Sequence, residues 1–129
     1  MKIRKIITKG LLATSILGVA ATLSNTAYTA SGNVFDGNER EIVGMWVEVK
    51  GGTSGWASLT SINGAKHNKR WSYNTQGKSY QVHVGIEGTP KRWGANIKSG
   101  WVSNQGNNIQ INTARHWLFG NQILVTPSR

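Results

Sequence analysis

Two short runs of positive charge stand directly before a tryptophan. Lys69-Arg70 precedes Trp71, and Lys91-Arg92 precedes Trp93. Lys and Arg side chains can hold a phosphate through charge-assisted hydrogen bonds, and an indole face can pack on a sugar ring or a lipid tail. This pairing favours the binding of an anionic glycolipid. The alternative is that both runs are solvated loops of a basic protein.

The chain is also rich in tryptophan, with six: Trp46, Trp56, Trp71, Trp93, Trp101 and Trp117. A small cysteine-free domain needs bulky core residues, so we expect roughly three or four of them to be buried. Trp56 and Trp93 adjoin glycine-rich or proline-containing turns, and we expect both to be exposed. Trp101 alternates with Ala95 and Ile97 in a predicted strand, which places it in the core. The candidate ligand-binding residues are Lys69, Arg70, Lys91, Arg92, Trp93 and Trp56.

Residues for catalysis are scarce. Most glycosidases need two nearby carboxylates, and Glu48 with Glu87 is the one plausible pair outside the N-terminal region. Asp36 is the only aspartate, the three histidines do not have the spacing of a zinc motif, and cysteine is absent. We therefore expect no catalytic residues, no metal site and no cofactor, and a protein that binds without catalysis.

From Glu41 onward the sequence is typical of short β-strands separated by glycine and asparagine. Tyr80, Val82, Val84 and Ile86 alternate with polar residues, which predicts one buried face. The predicted strands are 42–49, 56–62, 70–74, 78–86, 93–102, 109–111, 115–119 and 122–125. Hairpin turns are predicted at 63–64, 75–77 and 120–121. This spacing predicts an all-β fold, a small antiparallel β-sandwich or small barrel, over residues 41–129.

Residues 1–30 have the layout of a secretory signal peptide: a cationic start, an apolar run over Leu11–Leu23, and small polar residues up to Ala30. The apolar run is short for a membrane span of about 20 residues, which disfavours the alternative of a retained anchor. We expect cleavage after Ala30, within a few residues, with Ala27 as the alternative. Residues 31–40 resemble a flexible polar leader. The sequence thus predicts a secreted, extracellular protein.

Charge indicates the kind of partner. The chain carries a net charge of +10, and after residue 30 eleven basic residues face five acidic ones. Such a protein attracts polyanions with a strength that falls with salt. For a secreted bacterial protein these are wall polymers, anionic glycolipids and membrane surfaces contacted peripherally, and export disfavours nucleic acid. The alternative is that the charge serves solubility alone.

Several motifs occur in an order that resembles one known family. These are Trp71-Ser72-Tyr73-Asn74, Gly77-Lys78-Ser79 followed by His83, Ser99-Gly100-Trp101-Val102 and His116-Trp117-Leu118-Phe119, preceded by Val49-Lys50-Gly51-Gly52-Thr53 and Trp56. In this order they resemble the lactococcin 972 family of secreted bacteriocins over residues 49–119. The family pattern does not include residues 31–48 or 120–129.

The resemblance implies a small β-sandwich that acts on Gram-positive envelopes by engaging the wall precursor lipid II and blocking wall and septum synthesis. It assigns none of these residues to the contact with lipid II. The alternative is a secreted wall- or glycan-binding module that does not kill, a class that includes modules directed at a host.

Overall fold

Two β-sheets stack face to face in the computed structural model, which describes residues 28–88 and 94–127. The described residues form nine strands and no helix: β1 (Thr29–Asp36), β2 (Ile42–Val49), β3 (Gly55–Trp56), β4 (Ser58–Ser61), β5 (Asn68–Asn74), β6 (Tyr80–Ile86), β7 (Ala95–Lys98), β8 (Gln110–His116) and β9 (Gly120–Thr126). One sheet has the order β4-β5-β1-β8-β9 and the other β3-β2-β6-β7. The predicted β-sandwich is confirmed, and the barrel alternative is wrong because the sheets do not close.

The core lies between the sheets and follows the alternation of the strands. On β6 the side chains of Tyr80, Val82, Val84 and Ile86 are all buried, as predicted. Trp71 fills the centre from the opposite sheet and donates its Nε1–H to the carbonyl oxygen of Ile109 at 3.3 Å. The indole N–H is thus satisfied inside the core, as a buried polar group must be.

The flexible leader expected at residues 31–40 is wrong over its first six residues. Strand β1 runs to Asp36 in the middle of its sheet, antiparallel to β5 and parallel to β8. Ala30 and Val34 are fully buried, and a Cβ at Gly32 would lie 1.8 Å from the Ile109 carbonyl oxygen. The sequence pattern did not indicate this strand, because its inward residues include Gly32 and the charged Asp36, whereas the apolar Phe35 lies on the outer face.

The two predicted cleavage sites differ in what they would leave of β1. Cleavage after Ala30 would remove two residues of β1, including the fully buried Ala30 itself. It would also remove the Tyr28 carbonyl oxygen, which accepts the backbone N–H of Thr75 at 3.0 Å. Cleavage after Ala27 leaves the strand whole. Most of the predicted signal peptide, residues 1–27, lies outside the described residues.

The turn predicted at residues 75–77 forms, but it does not join a hairpin. Gln76 and Gly77 have φ of 59° and 72°, and the Lys78 N–H donates to the Thr75 carbonyl oxygen at 3.0 Å. Strands β5 and β6 on either side belong to different sheets. The buried Thr75 side chain donates to the Tyr28 carbonyl oxygen at 3.0 Å, so the chain is held where it crosses between the sheets.

The other two predicted hairpins form with altered turns. Asn63 and Gly64 have φ of 53° and 73° within a longer connection between β4 and β5. Strands β8 and β9 pair as predicted, but their turn is residues 117–119 and not 120–121, since His116 pairs with Gly120. The strand predicted over 56–62 divides into β3 in one sheet and β4 in the other.

A buried carboxylate ties the end of β1 to its surroundings. Asp36 is fully buried and accepts five hydrogen bonds: from the backbone N–H of Asn38 and Arg40, from Nε and Nη2 of Arg40, and from Oγ1 of Thr113. Arg40 then reaches Asn121 on β9, where Nη1 donates to Oδ1 at 2.7 Å. Burial alone would raise the pKa of the Asp36 carboxyl, but the hydrogen bonds from Arg40 and Thr113 outweigh it and hold that pKa below its ordinary value.

This network predicts a specific loss of stability in acid. The pKa of Asp36 is lower in the folded chain than in the unfolded one, so its contribution is complete above the unfolded pKa of about 3.9 and is lost as the pH falls through the folded value. Asp36→Asn should reduce the free energy of unfolding at neutral pH by about 3 kcal/mol and flatten the fall below pH ~4. Urea denaturation across pH measures both effects. Glu39→Gln is the matched control and should keep the parent profile; equal profiles for parent and Asp36→Asn would contradict the role given to Asp36.

A second prediction concerns the start of the domain. A chain beginning at Ser31 should be less stable than one beginning at Tyr28 by about 2–4 kcal/mol, since it loses a few backbone hydrogen bonds worth about 1 kcal/mol each and the burial of Ala30. Urea denaturation of the two purified chains measures the difference. Equal stability would show that residues 28–30 do not belong to the folded domain.

Candidate functional site

The outer face of the four-stranded sheet carries a row of large side chains at adjacent cross-strand positions. Trp46 on β2 pairs with Trp56 on β3 and with His83 on β6, and His83 pairs with Lys98 on β7. The inward residues of β2 and β6 form the core, so this row must face outward. Paired residues on one face of a sheet lie about 5 Å apart, which makes the row continuous.

Beside this row lies a shallow groove of about 300 Å³, lined by Trp46, Trp56, His83, Gly85 and Asn96. The rings of Trp46 and Trp56 meet edge to face, with centroids 5.1 Å apart and an interplanar angle of 83°. Gly44 pairs with Gly85, and the absence of side chains at this pair leaves the floor low. A Cβ at Gly44 would approach Cζ3 of Trp56 to 3.3 Å, so glycine allows the indole to lie over the strand.

Polar groups stand at the edge of the same groove. His83 Nε2 lies 3.1 Å from Glu48 Oε1, which fixes the orientation of the imidazole beside the two indoles. Asn96 and Lys98 are exposed on β7 at the opposite side. The arrangement offers two apolar ring surfaces together with amide, imidazole and ammonium groups, which is suited to a ligand that has both flat C–H faces and hydroxyl groups.

The structure divides the predicted site residues between different surfaces. Trp56 is 69% exposed, as expected, and belongs to the groove. Arg70 pairs with Asn33 on the outer face of the other sheet, whereas Lys69 pairs with the inward Val34. The described residues therefore do not bring Lys69, Arg70 and Trp56 into one cluster. The remaining predicted residues, Lys91, Arg92 and Trp93, lie outside the described residues.

Arg70 faces a separate polar hollow of about 210 Å³ on the five-stranded sheet. Its other polar side chains are the amides of Asn33, Asn107, Asn108 and Gln110, with no carboxylate among the lining residues that the structure describes. A guanidinium among amide N–H groups is suited to an anion. The ligand-binding role of Arg70 stays a prediction, and no tryptophan is among the described residues that line this hollow.

The prediction that Trp101 belongs to the core is wrong. Its ring is 44% exposed, with Lys50 Nζ 5.4 Å from its centroid. The reason is an extra residue in the chain after β7. The Ser99 N–H donates to the Val82 carbonyl oxygen, and the Val102 N–H donates to the Tyr80 carbonyl oxygen. Ser99 and Val102 are three residues apart, whereas their partners Val82 and Tyr80 are two apart, so the segment after β7 contains one extra residue. Such a bulge reverses the alternation, turning Val102 inward and Trp101 outward.

Fewer tryptophans are buried than expected. Among the described residues only Trp71 is fully buried; Trp46 is partly buried, and Trp56, Trp101 and Trp117 are exposed. The predicted site residues did not include Trp46, His83 or Asn96, which line the groove. The signal for Trp46 was its position two residues before Glu48, since both must lie on the face opposite Met45 and Val47.

The carboxylates do not form a hydrolytic pair. Glu48 contacts His83 near the end of β2, whereas Glu87 lies beside Glu41 at the start of that strand. The hydrogen bond and negative charge of Glu41 raise the pKa of the Glu87 carboxyl. The length of β2 separates Glu48 from Glu87 by about 20 Å, far more than the roughly 5–10 Å between glycosidase carboxylates.

In residues 28–88 and 94–127 no group of three or more His, Cys, Asp and Glu side chains is arranged to hold a metal ion. The same residues contain no helix long and apolar enough to cross a membrane.

No family model matches the chain, and no curated protein or solved structure is significantly similar to it.

The tryptophan environments predict a clear contrast in stability. Trp71→Phe should reduce the free energy of unfolding by about 2–3 kcal/mol, because it leaves a cavity in the core and removes the donor to Ile109. Trp101→Phe should change it by less than about 0.5 kcal/mol, as exposed substitutions do. Urea denaturation of the two matched variants provides the measurement. An equal loss in both would mean that Trp101 is packed as a core residue.

Proposed function

We propose that this protein is a secreted, bacteriocin-like binder of a sugar-containing component of the Gram-positive envelope, such as the wall precursor lipid II. The groove formed by Trp46, Trp56, His83 and Asn96 supports this proposal more than any other feature. In it the protein holds a sugar against the indoles, and it inhibits wall synthesis by sequestering the precursor without catalysis.

The chemistry of the groove favours a sugar over other ligands. A sugar ring presents C–H groups on its faces and hydroxyl groups around its edge. The indoles of Trp46 and Trp56 match the faces, and the side chains of His83 and Asn96 can hydrogen-bond the hydroxyls. A wholly apolar ligand would leave these polar groups unpaired, which costs free energy on binding.

Charge favours a sugar that carries phosphate or belongs to an anionic polymer. Lys98 is exposed at the edge of the groove, next to His83 in the cross-strand row. The excess of basic residues adds a long-range attraction that weakens with salt. Phosphate-linked wall precursors and teichoic acids combine both features, a sugar face and a negative charge.

A wall- or glycan-binding module that does not kill is the second candidate, and the topology gives it specific support. The resemblance to the bacteriocin family covers residues 49–119, whereas β1, β2 and β9 fall outside that range. Strand β1 is the central strand of one sheet, and β2 supplies Trp46 to the groove. The resemblance therefore omits parts of this chain on which both the fold and the groove depend.

Binding to isolated Gram-positive cell walls and to lipid II vesicles tests the groove. Trp56→Ala should weaken binding by at least about tenfold, since it removes the exposed ring that packs on the sugar. Asn96→Ala should weaken it severalfold by removing hydrogen bonds. Trp101→Ala is the matched control, because it removes an exposed tryptophan from another surface and should bind as the parent does. Circular dichroism of each variant verifies the fold.

Two results would overturn the proposal. One is unchanged binding by both groove variants, and the other is an equal loss in Trp101→Ala. A growth-inhibition assay on Gram-positive cells separates the two candidates: the parent stops growth and Trp56→Ala does not if the protein is bacteriocin-like, and neither stops growth if it only binds.

A further inference from the structure

The turn between β8 and β9 exposes three consecutive apolar side chains. Trp117 is 87% exposed, Leu118 61% and Phe119 68%, and Leu124 on β9 is exposed as well. Turns of soluble domains are usually built from glycine, asparagine, aspartate, proline and serine. A hairpin that ends in Trp-Leu-Phe leaves in water the residue types that most favour burial. The groove on the other sheet makes no use of these side chains.

The turn is held in this outward form by His116. Its Nδ1 accepts the backbone N–H groups of Leu118 at 3.0 Å and of Phe119 at 3.2 Å. Its imidazole ring also contacts two aromatic rings: the centroid distance is 5.7 Å to the indole of Trp117 and 4.8 Å to the phenyl ring of Phe119. Gly120 closes the turn with a φ of 78°, which a larger residue would adopt only with strain. The apolar side chains therefore have a defined local support.

The size and shape of this tip do not suit a stable protein interface. Three side chains of these types present roughly 450 Å² of surface, whereas a specific interface buries about 800 Å² on each partner. The tip is also the convex end of a hairpin. A second copy of the chain would meet it with an equally convex surface, and the contact would bury little.

Lipid headgroups fit the tip better, by residue type and by charge. Tryptophan settles at the boundary between headgroups and acyl chains, with leucine and phenylalanine deeper on the apolar side. Arg115 is exposed directly before the turn and forms no ion pair with the carboxylates that the structure describes. The positive net charge of the chain adds attraction to anionic lipid.

We propose that the tip Trp117-Leu118-Phe119 inserts into the interface of an anionic lipid bilayer and docks the protein on the membrane surface. Three residues at a turn reach the headgroup and upper acyl region and no further, so the docking is reversible. Arg115 contacts lipid phosphate beside the inserted residues. The contact does not depend on the groove or on its ligand.

Sedimentation with vesicles tests this directly. Residues 28–129 contain both sheets, and this chain is mixed with vesicles of equimolar phosphatidylglycerol and phosphatidylcholine or of phosphatidylcholine alone, all free of glycan. The parent should bind the anionic vesicles preferentially. The triple variant W117S/L118S/F119S should lose at least about tenfold in binding, and Trp117→Ser alone severalfold. Arg115→Gln should reduce the preference for anionic lipid.

Controls separate this proposal from the groove. Trp56→Ser removes an exposed tryptophan elsewhere and should bind vesicles as the parent does, whereas the tip variants should still bind isolated cell walls. Circular dichroism verifies that each variant is folded, and Trp117→Ser serves if the triple variant is not. The proposal is overturned if the tip variants bind anionic vesicles as the parent does, if Trp56→Ser loses binding equally, or if sedimentation equilibrium shows a dimer that the tip variants abolish.

Discussion

The buried carboxylate of Asp36 is the interaction on which the arrangement of the strands most depends. A buried charge is costly unless donors surround it, and here Arg40, Thr113 and two backbone N–H groups provide them. Those donors come from the connection between β1 and β2 and from β8. The network therefore fixes where the chain leaves one sheet and enters the other. Breaking it would leave Arg40 without its carboxylate partner and release the connection that positions β2.

Strand β1, which ends at Asp36, helps to explain why the two sheets differ in their roles. It joins β5 to β8 and so completes the five-stranded sheet, whose inner face carries Trp71. The core is formed by the inward residues of that sheet, Trp71 among them, and by the inward residues of β2 and β6. The side chains on the outer face of the four-stranded sheet are therefore not part of the core. Trp46 is therefore only partly buried and Trp56 is exposed on that face. The absence of cysteine makes this reliance on strand pairing and packing complete.

Alternation along single strands predicted much of this fold, and interactions between distant strands decided the rest. The buried face of β6, the extent of β2 and the pairing of β8 with β9 follow from local patterns. Strand β1 did not, since one of its inward positions is Gly32, where the Ile109 backbone leaves no room for a side chain. The turn at Gln76-Gly77 has the local signature of a hairpin, yet Thr75 anchors it to Tyr28 and the chain changes sheet. Of the predicted site residues, Trp56 was correctly predicted to be exposed. That Trp46 lies beside it could be known only from the pairing of β2 with β3.

One side of the groove, formed by Gly85 and Asn96, lies toward the end of the sandwich that carries the apolar tip. Strand β8 runs parallel to β1, so the tip after His116 lies at the end of the molecule where β1 finishes and β2 begins. The floor of the groove is near that end too, because Gly44 is close to the start of β2 and Asn96 to the start of β7. A protein docked on lipid through the tip would thus hold the groove near the bilayer surface. Under both proposals, sugars attached to lipid would meet the groove there sooner than sugars of the outer wall, and we therefore propose a lipid-linked precursor over a wall polymer as its ligand.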